Sequence, residues 1–414
     1  MVKVTNTQDD NALQFDPCSE THARDWSYRA EGGAHFIFGY DGSAKGYVDR
    51  VLRIQKAVAA SGPDETMRRV WVMDLLPKLL PRDLLLQSVL VELQEKWLKE
   101  LMSTDMSKRP EERKGSMAGT ASLTDSISGS THGWIMDDLI ARGKKEESVL
   151  CVEIKPKWGF LPDQQHVQPP EAAGIKSQIP RFHLHEHFRG NYTSEDVGYN
   201  PLDLFSGQQA RMKKALEGLW LGWEASEGRK NNWRVYVDGQ VVLPASVIKP
   251  IDVPTTGSKQ SVRDSTIDLV LPCLISSNVF GLVGRLQSRL DATDISDLAT
   301  RYGAEYPDAE PFAGSASSEA TEAELRTLVA RFVAASANPQ PQSWSLRESL
   351  IAYSLAAIFK DCSIFVRIPL ARKDGSWQVS ANPSVKVVDV DLKPLCSMRK
   401  WYDLDEKLWK HWYE

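Results

Sequence analysis

SVLCVEIKP, residues 148–156, is the stretch whose reading decides the fold. Its apolar run is too continuous for an exposed edge, so it reads as a buried strand. Pro156, which has no amide donor, ends the ladder. Alternation predicts Glu153, Lys155 and Lys157 on one face. Two ammoniums brought by a buried strand to one place call for anions, and a carboxylate in the same row can orient one of them. A solvated edge strand is the plainer alternative.

Outward from this strand the chain alternates hairpins with helices. Residues 34–40 (AHFIFGY) and 47–56 predict two strands joined at Asp41-Gly42-Ser43. Pro63-Asp64 opens a helical stretch to about Leu80, and Asp83 is read as the cap of a second helix through 84–102. Residues 103–130 are small, charged and aperiodic, which suits a linker or mobile loop. Further on, helices are predicted at 209–223, 264–291 and 319–336, with a long amphipathic one from Ser343 to Phe359. WRVYVDGQVVL (233–243) is a hairpin around Asp238-Gly239. SIFVRIPL and VKVVDVDL are strands joined through Lys373-Asp374-Gly375, and the last 14 residues form a Trp-rich helix. The order is that of an α+β, two-lobed protein.

Composition narrows the class. The 414 residues carry 50 Lys+Arg against 55 Asp+Glu, a net charge of −5, which argues against a general nucleic-acid coat. With 42% hydrophobic residues and no run of about 18 apolar ones, a globular chain without a membrane span is expected. Five scattered cysteines without a CxxC pair point away from a disulfide framework and towards a reduced, intracellular setting. No apolar signal segment begins the sequence. Walker-type GxxxxGK[ST], HRD, DFG, HExxH and GxSxG motifs are all missing.

Several constellations carry chemistry. Arg29-Ala-Glu31-Gly32-Gly33-Ala34 could bring backbone amides to a nucleotide's phosphates, or could be an ordinary strand-entry turn. In Arg181-Phe-His183-Leu-His185-Glu-His187-Phe-Arg189, alternate histidines could bind metal if extended. A helix, the preferred reading, instead aligns Arg181, His185 and Arg189 as a basic stripe. Asn231-Asn232-Trp-Arg234 suits hydroxyl and phosphate recognition, or simply starts a strand. Asp361 is read as opening one strand, with Asp389 and Asp391 near the end of the next and Lys393 beyond. A hairpin turning near Gly375 places 361 opposite about 389. Opposed carboxylates repel unless a cation lies between them, and Mg²⁺ takes one or two carboxylates plus phosphates. Arg113, Lys155, Lys157, Arg181, Arg189, Arg234 and Lys393 would then hold a small polyanion beside this metal, an arrangement for phosphoryl transfer.

Glu153-Ile-Lys-Pro-Lys157, Arg181-Phe-x-x-His185, Pro201-Leu-Asp-Leu-Phe-Ser-Gly207, Asn231-Asn-x-Arg234, Asp361-Cys-Ser363 and Asp391-Leu-Lys-Pro-Leu395, with Tyr28-Arg-x-Glu-Gly-x-Ala34 and Arg53-Ile-Gln-Lys56, resemble the inositol-pentakisphosphate 2-kinases, in order from about residue 25 to 413. The resemblance implies a two-lobed, kinase-like α+β fold with antiparallel sheets and an enlarged inositide-binding C-lobe. It implies transfer of the ATP γ-phosphate to the 2-hydroxyl of inositol 1,3,4,5,6-pentakisphosphate. A nucleotide-side N-lobe (1–105), a mobile linker (106–130) and an inositide- and metal-binding C-lobe (131–414) are expected. Arg29, Glu31, Gly32, Gly33, Arg53, Asp125 and Glu153 are implied on the nucleotide side. Arg113, Lys155, Lys157, Arg181, His185, Arg189, Asn231, Asn232, Arg234, Lys393 and Trp401 are implied on the inositide. Asp361 and Asp389 are implied for the metal and the attacking hydroxyl, with Lys155 also counted as catalytic. Arg189 stands where plant members carry Lys, and Ser397 and Trp401 stand where the family has a basic residue and a Tyr. ATP and Mg²⁺, a monomer, no nucleic-acid or membrane partner, and the nucleus or cytoplasm complete the expectation. A non-catalytic inositide-binding module is the competing reading.

Overall fold

The computed structural model describes residues 15–56, 63–103, 131–143, 147–191, 198–244, 261–313, 318–335, 344–373 and 376–412. The chain divides into two compact units, Met1–Ser61 with Gln87–Asp138, and Gly62–Leu86 with Leu139–Glu414. The expected lobe ranges differ from these units at two places. Residues 62–86 belong with the second unit and 131–138 with the first. The expected linker, with Arg113 and Asp125, lies outside the described residues.

The first unit is a five-stranded antiparallel sheet in the order β1-β2-β3-β5-β4, formed by Trp26–Glu31 (β1), His35–Tyr40 (β2), Arg50–Gln55 (β3), Ser88–Glu92 (β4) and His132–Asp137 (β5). Alternation works as expected: Phe36 and Phe38 of β2 and Leu52 and Ile54 of β3 turn into one core with Trp26, Trp97 and Leu101. The helix expected through 84–102 is corrected. Val89 and Val91 pair with Ile135 and Gly133 as part of β4, and only Glu95–Met102 is helical. Branched Cβ atoms packed on a pleated surface outweigh the helical spacing of the leucines.

The second unit holds a six-stranded antiparallel sheet. Glu147–Ile154 (β6), Trp233–Val237 (β7), Gln240–Val242 (β8), Ser363–Lys373 (β9) and Ser376–Val379 (β10) run in the order β10-β9-β6-β7-β8, and Ser384–Val388 (β11) also pairs with β9. The strand read first is therefore central, between β7 and β9. Its Val149 to Ile154 are all buried. The helix Leu346–Asp361 is not amphipathic as expected. Ser349 to Lys360 are buried without interruption, because the helices Val279–Leu290, Asp294–Glu305 and Glu322–Ala334 all pack against it. The single helix expected over 264–291 is two, Val262–Ser277 and Val279–Leu290, broken where Asn278 takes a left-handed φ of 49°. Among the described residues no single helix is long and apolar enough to cross a membrane.

Candidate active site

The end of β6 is the centre of the site in the second unit. Glu153 is 6% exposed and accepts hydrogen bonds from Tyr236 Oη (3.0 Å) and Ser363 Oγ (2.9 Å). Its other neighbours are cations, with Lys155 Nζ at 3.6 Å and Arg234 at 4.0 Å, directly across the β6–β7 ladder. Burial and the Glu153 charge hold the Tyr236 hydroxyl well above its ordinary pKa. Glu153, implied on the nucleotide side, thus orients two of the residues implied on the inositide.

Past Ile154 the chain leaves the sheet. Asn232 grips Lys155 through its backbone: the Lys155 amide donates to the Asn232 carbonyl (3.0 Å) and Asn232 Nδ2 donates to the Lys155 carbonyl (3.1 Å). Asn231 is exposed beside it. Strict alternation does not extend to Lys157, whose φ of 62° is left-handed. That geometry is held by Gln287, which is fully buried. It donates to the carbonyls of Lys157 (2.9 Å) and Phe359 (2.8 Å) and accepts from the amide of Gly159 (2.8 Å). Lys157 still joins the cluster. Burial holds its ammonium below the ordinary value, Asp361 opposes that shift, and Lys155 and Arg189 add to it.

Residues Arg181–Phe188 are helical, as preferred over a metal-binding strand. The helix separates the histidines. Buried His183 meets the Tyr199 carbonyl (2.9 Å), and His187 packs on the Trp412 ring (4.7 Å). His185 lies among cations. Burial first, then Arg181, Arg189 and Lys157, hold its imidazole down to about 3 against Asp405, so it is neutral at physiological pH. Arg189 is mostly exposed, 3.8 Å from Glu186. Arg181 points inward instead: its guanidinium is paired with Asp405 and is 11% exposed. Trp401 packs its ring on Tyr353 (5.9 Å).

Asp361 ends the buried helix rather than opening β9. Val388 pairs with Ser363, so the register puts Asp389 just past the strand, close to the sequence expectation. The Asp361 side chain is 60% exposed and lies 3.8 Å from Lys393 Nζ. Asp389 takes a φ of 62°. Burial pushes the Cys362 thiol up to about 12, and both Asp361 and Asp389 add to the shift, so the two carboxylates act on a common neighbour. Carboxylate oxygens are the donor type that Mg²⁺ takes, one or two at a time. Among the described residues there is no cluster of three or more His, Cys, Asp or Glu suited to a metal.

The first unit carries the constellation implied on the nucleotide side. Gly32 and Gly33 form the β1–β2 turn with open space where a Cβ would point, though the Gly32 amide already donates to the His35 carbonyl (3.0 Å). Arg29 sits at an irregularity in the β1–β2 register and pairs with Asp41. Its guanidinium crosses Gly39, where an added Cβ would meet Arg29 Nε at 2.1 Å, so a larger residue there would displace the arginine. Glu31 pairs with Lys56, which also donates to the Gly32 carbonyl (2.9 Å), and Arg53 meets His35 Nδ1 at 3.0 Å.

Sequence reasoning passed over Lys56, Glu186 and Gln287. The first two lay inside quoted motifs and were signalled by spacing: Lys56 three residues after Arg53, and Glu186 one turn before Arg189. Gln287 had no local signal, because it acts through residues more than a hundred positions away.

The family model described as inositol-pentakisphosphate 2-kinase matches residues 28–407. The chain belongs to the inositol-pentakisphosphate 2-kinase family. It is 42% identical over 414 aligned residues to the inositol-pentakisphosphate 2-kinase of Cryptococcus neoformans, covering 97% of each chain. The Arabidopsis thaliana enzyme of that name is 25% identical, with 94% of this chain and 93% of the relative covered. The Danio rerio one is 27% identical over 53% of this chain and 44% of its own. Family membership agrees with the α+β, antiparallel architecture.

Proposed function

We propose that this chain transfers the γ-phosphate of ATP to the 2-hydroxyl of inositol 1,3,4,5,6-pentakisphosphate, giving inositol hexakisphosphate. The observation that carries this is a run of neighbouring cations, with Lys157 beside Lys155 and Arg189 and facing Asp361, and Lys393 3.8 Å from the same exposed carboxylate, in a chain of this family. Such a cluster neutralises a small polyanion, and neutralisation with positioning is most of what phosphoryl transfer asks of a protein. Lys155, Lys157, Arg189, Arg234 and Lys393 hold the inositide phosphates, and neutral His185 and Asn231 serve as hydrogen-bonding groups beside them. Asp361 orients the 2-hydroxyl and takes up its proton. Its exposure and its place among cations support this role. Asp389 and Asp361 hold Mg²⁺, which when bound neutralises the charge of the transferred phosphoryl group. Arg29, Lys56, Arg53 and the Gly32-Gly33 turn meet the nucleotide phosphates. A purely binding module would not need a carboxylate kept amid its own cations. The chain is taken to work inside the cell, where ATP is supplied.

Incubation with radiolabelled ATP, Mg²⁺ and a panel of inositol phosphates, with products resolved by anion exchange, tests this. Label in inositol hexakisphosphate formed from the pentakisphosphate is expected. Binding of the pentakisphosphate without transfer of label would favour the non-catalytic module.

A further inference from the structure

Trp158 follows Lys157 on the loop that leaves β6, and Lys360 precedes Asp361 at the end of the buried helix. The Lys360 ammonium is 3.7 Å from the centre of the Trp158 ring and 4.1 Å from that of Tyr353. The Arg181 guanidinium is 4.5 Å from the same Trp158 ring, and Phe160 stacks on it with planes 8° apart. Both cations are withdrawn from water, and both are anchored from behind. Lys360, 2% exposed, is bound to Asp291 at 2.5 Å. Arg181 is paired with buried Asp405, which also accepts from Lys176 at 2.7 Å.

Two buried cations against one side chain repel each other. An indole offsets this with the negative face of its ring, whereas an aliphatic side chain cannot. Through this ring the loop presenting Lys155 and Lys157 is joined to the helix end presenting Asp361. Gln287 makes the same junction through the backbone, at Lys157 and Phe359.

We infer that Trp158 is a positioning residue, whose ring holds Lys360 and Arg181 together so that the anion-binding loop and the Asp361 carboxylate keep one geometry. The inference rests on the phosphoryl-transfer reading above and deepens it. A small displacement between nucleophile and carboxylate lowers the rate without removing any group that touches substrate.

The experiment compares Trp158→Leu and Trp158→Phe with wild type. It measures steady-state kinetics for pentakisphosphate and ATP, calorimetric binding of inositol hexakisphosphate, and the melting temperature. Trp158→Leu is expected to lower kcat about tenfold and to raise the inositide KM, leaving the ATP KM within about twofold. Trp158→Phe should recover part of the loss, to a kcat about threefold below wild type, because a weaker ring still faces the cations. Wild-type kinetics in a folded Trp158→Leu, an equal rise in the ATP KM, or no recovery by Phe overturns the inference. Should the leucine variant not fold, Trp158→Phe decides alone: a kcat about threefold down with the ATP KM intact supports it, and wild-type kinetics overturn it. An inactive wild type would sink the proposed function instead. Calorimetry then reads the loop directly, with weaker hexakisphosphate binding by Trp158→Leu as the supporting result and unchanged binding as the overturning one.

Discussion

The two units treat their functional cations differently. In the first, Arg29 and Lys56 each have an acidic partner, Asp41 and Glu31, and Arg53 meets His35. In the second, Lys155, Lys157, Arg189, Arg234 and Lys393 share the carboxylates of Glu153, Glu186 and Asp361. Paired charges bring little net field to a ligand, while crowded ones raise each other's energy until an anion arrives. The second unit thus stores the affinity for a polyanion, and the first keeps a turn with open backbone. A ligand with many phosphates gains most from the crowded unit, and a nucleotide from shape and a few exchanged pairs.

Asp361→Asn is the largest break in this comparison. It leaves the cations in place and even removes a competing anion, so inositide binding should hold or tighten. Turnover should fall roughly 10²–10⁴-fold, the usual scale for losing a positioned general base. Single-turnover transfer of label from ATP, with calorimetry for binding, separates the two effects. A rate within tenfold of wild type would remove Asp361 from the chemistry.

Lys157→Ala should raise the inositide KM about ten- to a hundredfold, the loss of one charge-assisted phosphate contact. The deficit should shrink as salt is raised, because screening weakens the same term in wild type. An effect on the ATP KM instead would move Lys157 out of the crowded cluster. Arg53→Ala should show the mirror pattern, with the ATP KM up about tenfold and the inositide KM within about twofold. If both Arg53→Ala and Lys157→Ala raise both constants alike, the division of labour between the units fails.

These sites were legible in the sequence to unequal degrees. β6, the β7–β8 hairpin, the pairing of β9 with β11 and the basic helix at 181–188 follow from alternation, turn chemistry and spacing, all local properties, whereas β10, which turns back on β9 ahead of β11, was not foreseen and β11 ends at Val388 rather than Leu392. β4 was missed because a five-residue strand in a leucine-rich context looks helical until its partner is known, and the six residues of β5 carry no clear alternation of their own. The helix Leu346–Asp361 was misread as amphipathic because its few polar residues are satisfied inside the protein: Ser354 by the Lys393 carbonyl and Lys360 by Asp291. Arg181 shows the same limit at the site. Its place on a basic stripe follows from the helix, but its inward turn depends on Asp405, more than two hundred residues away.

The smallest expected effect sharpens the comparison most directly, since it reads the crowding itself. His185 has an ordinary pKa of 6.5 and is held at about 3 by burial and by Arg181, Arg189 and Lys157. Below pH 6.5 the unfolded chain takes up a proton that the folded one refuses, so stability is lost as pH falls from 6.5 towards 3. Between pH 6.5 and 5.5 this amounts to about 1 kcal/mol, a few degrees or less in melting temperature for a chain of this size. His185→Gln removes the titrating group, so its melting temperature should fall less than that of wild type over this interval. A bound polyphosphate should narrow the gap between the two proteins, because phosphates beside the three cations cancel their push on the imidazole. Melting curves at pH 5.5, 6.5 and 7.5, with and without inositol hexakisphosphate, decide it. Parallel profiles for wild type and His185→Gln would mean that the cations around His185 are not crowded enough to repel a proton.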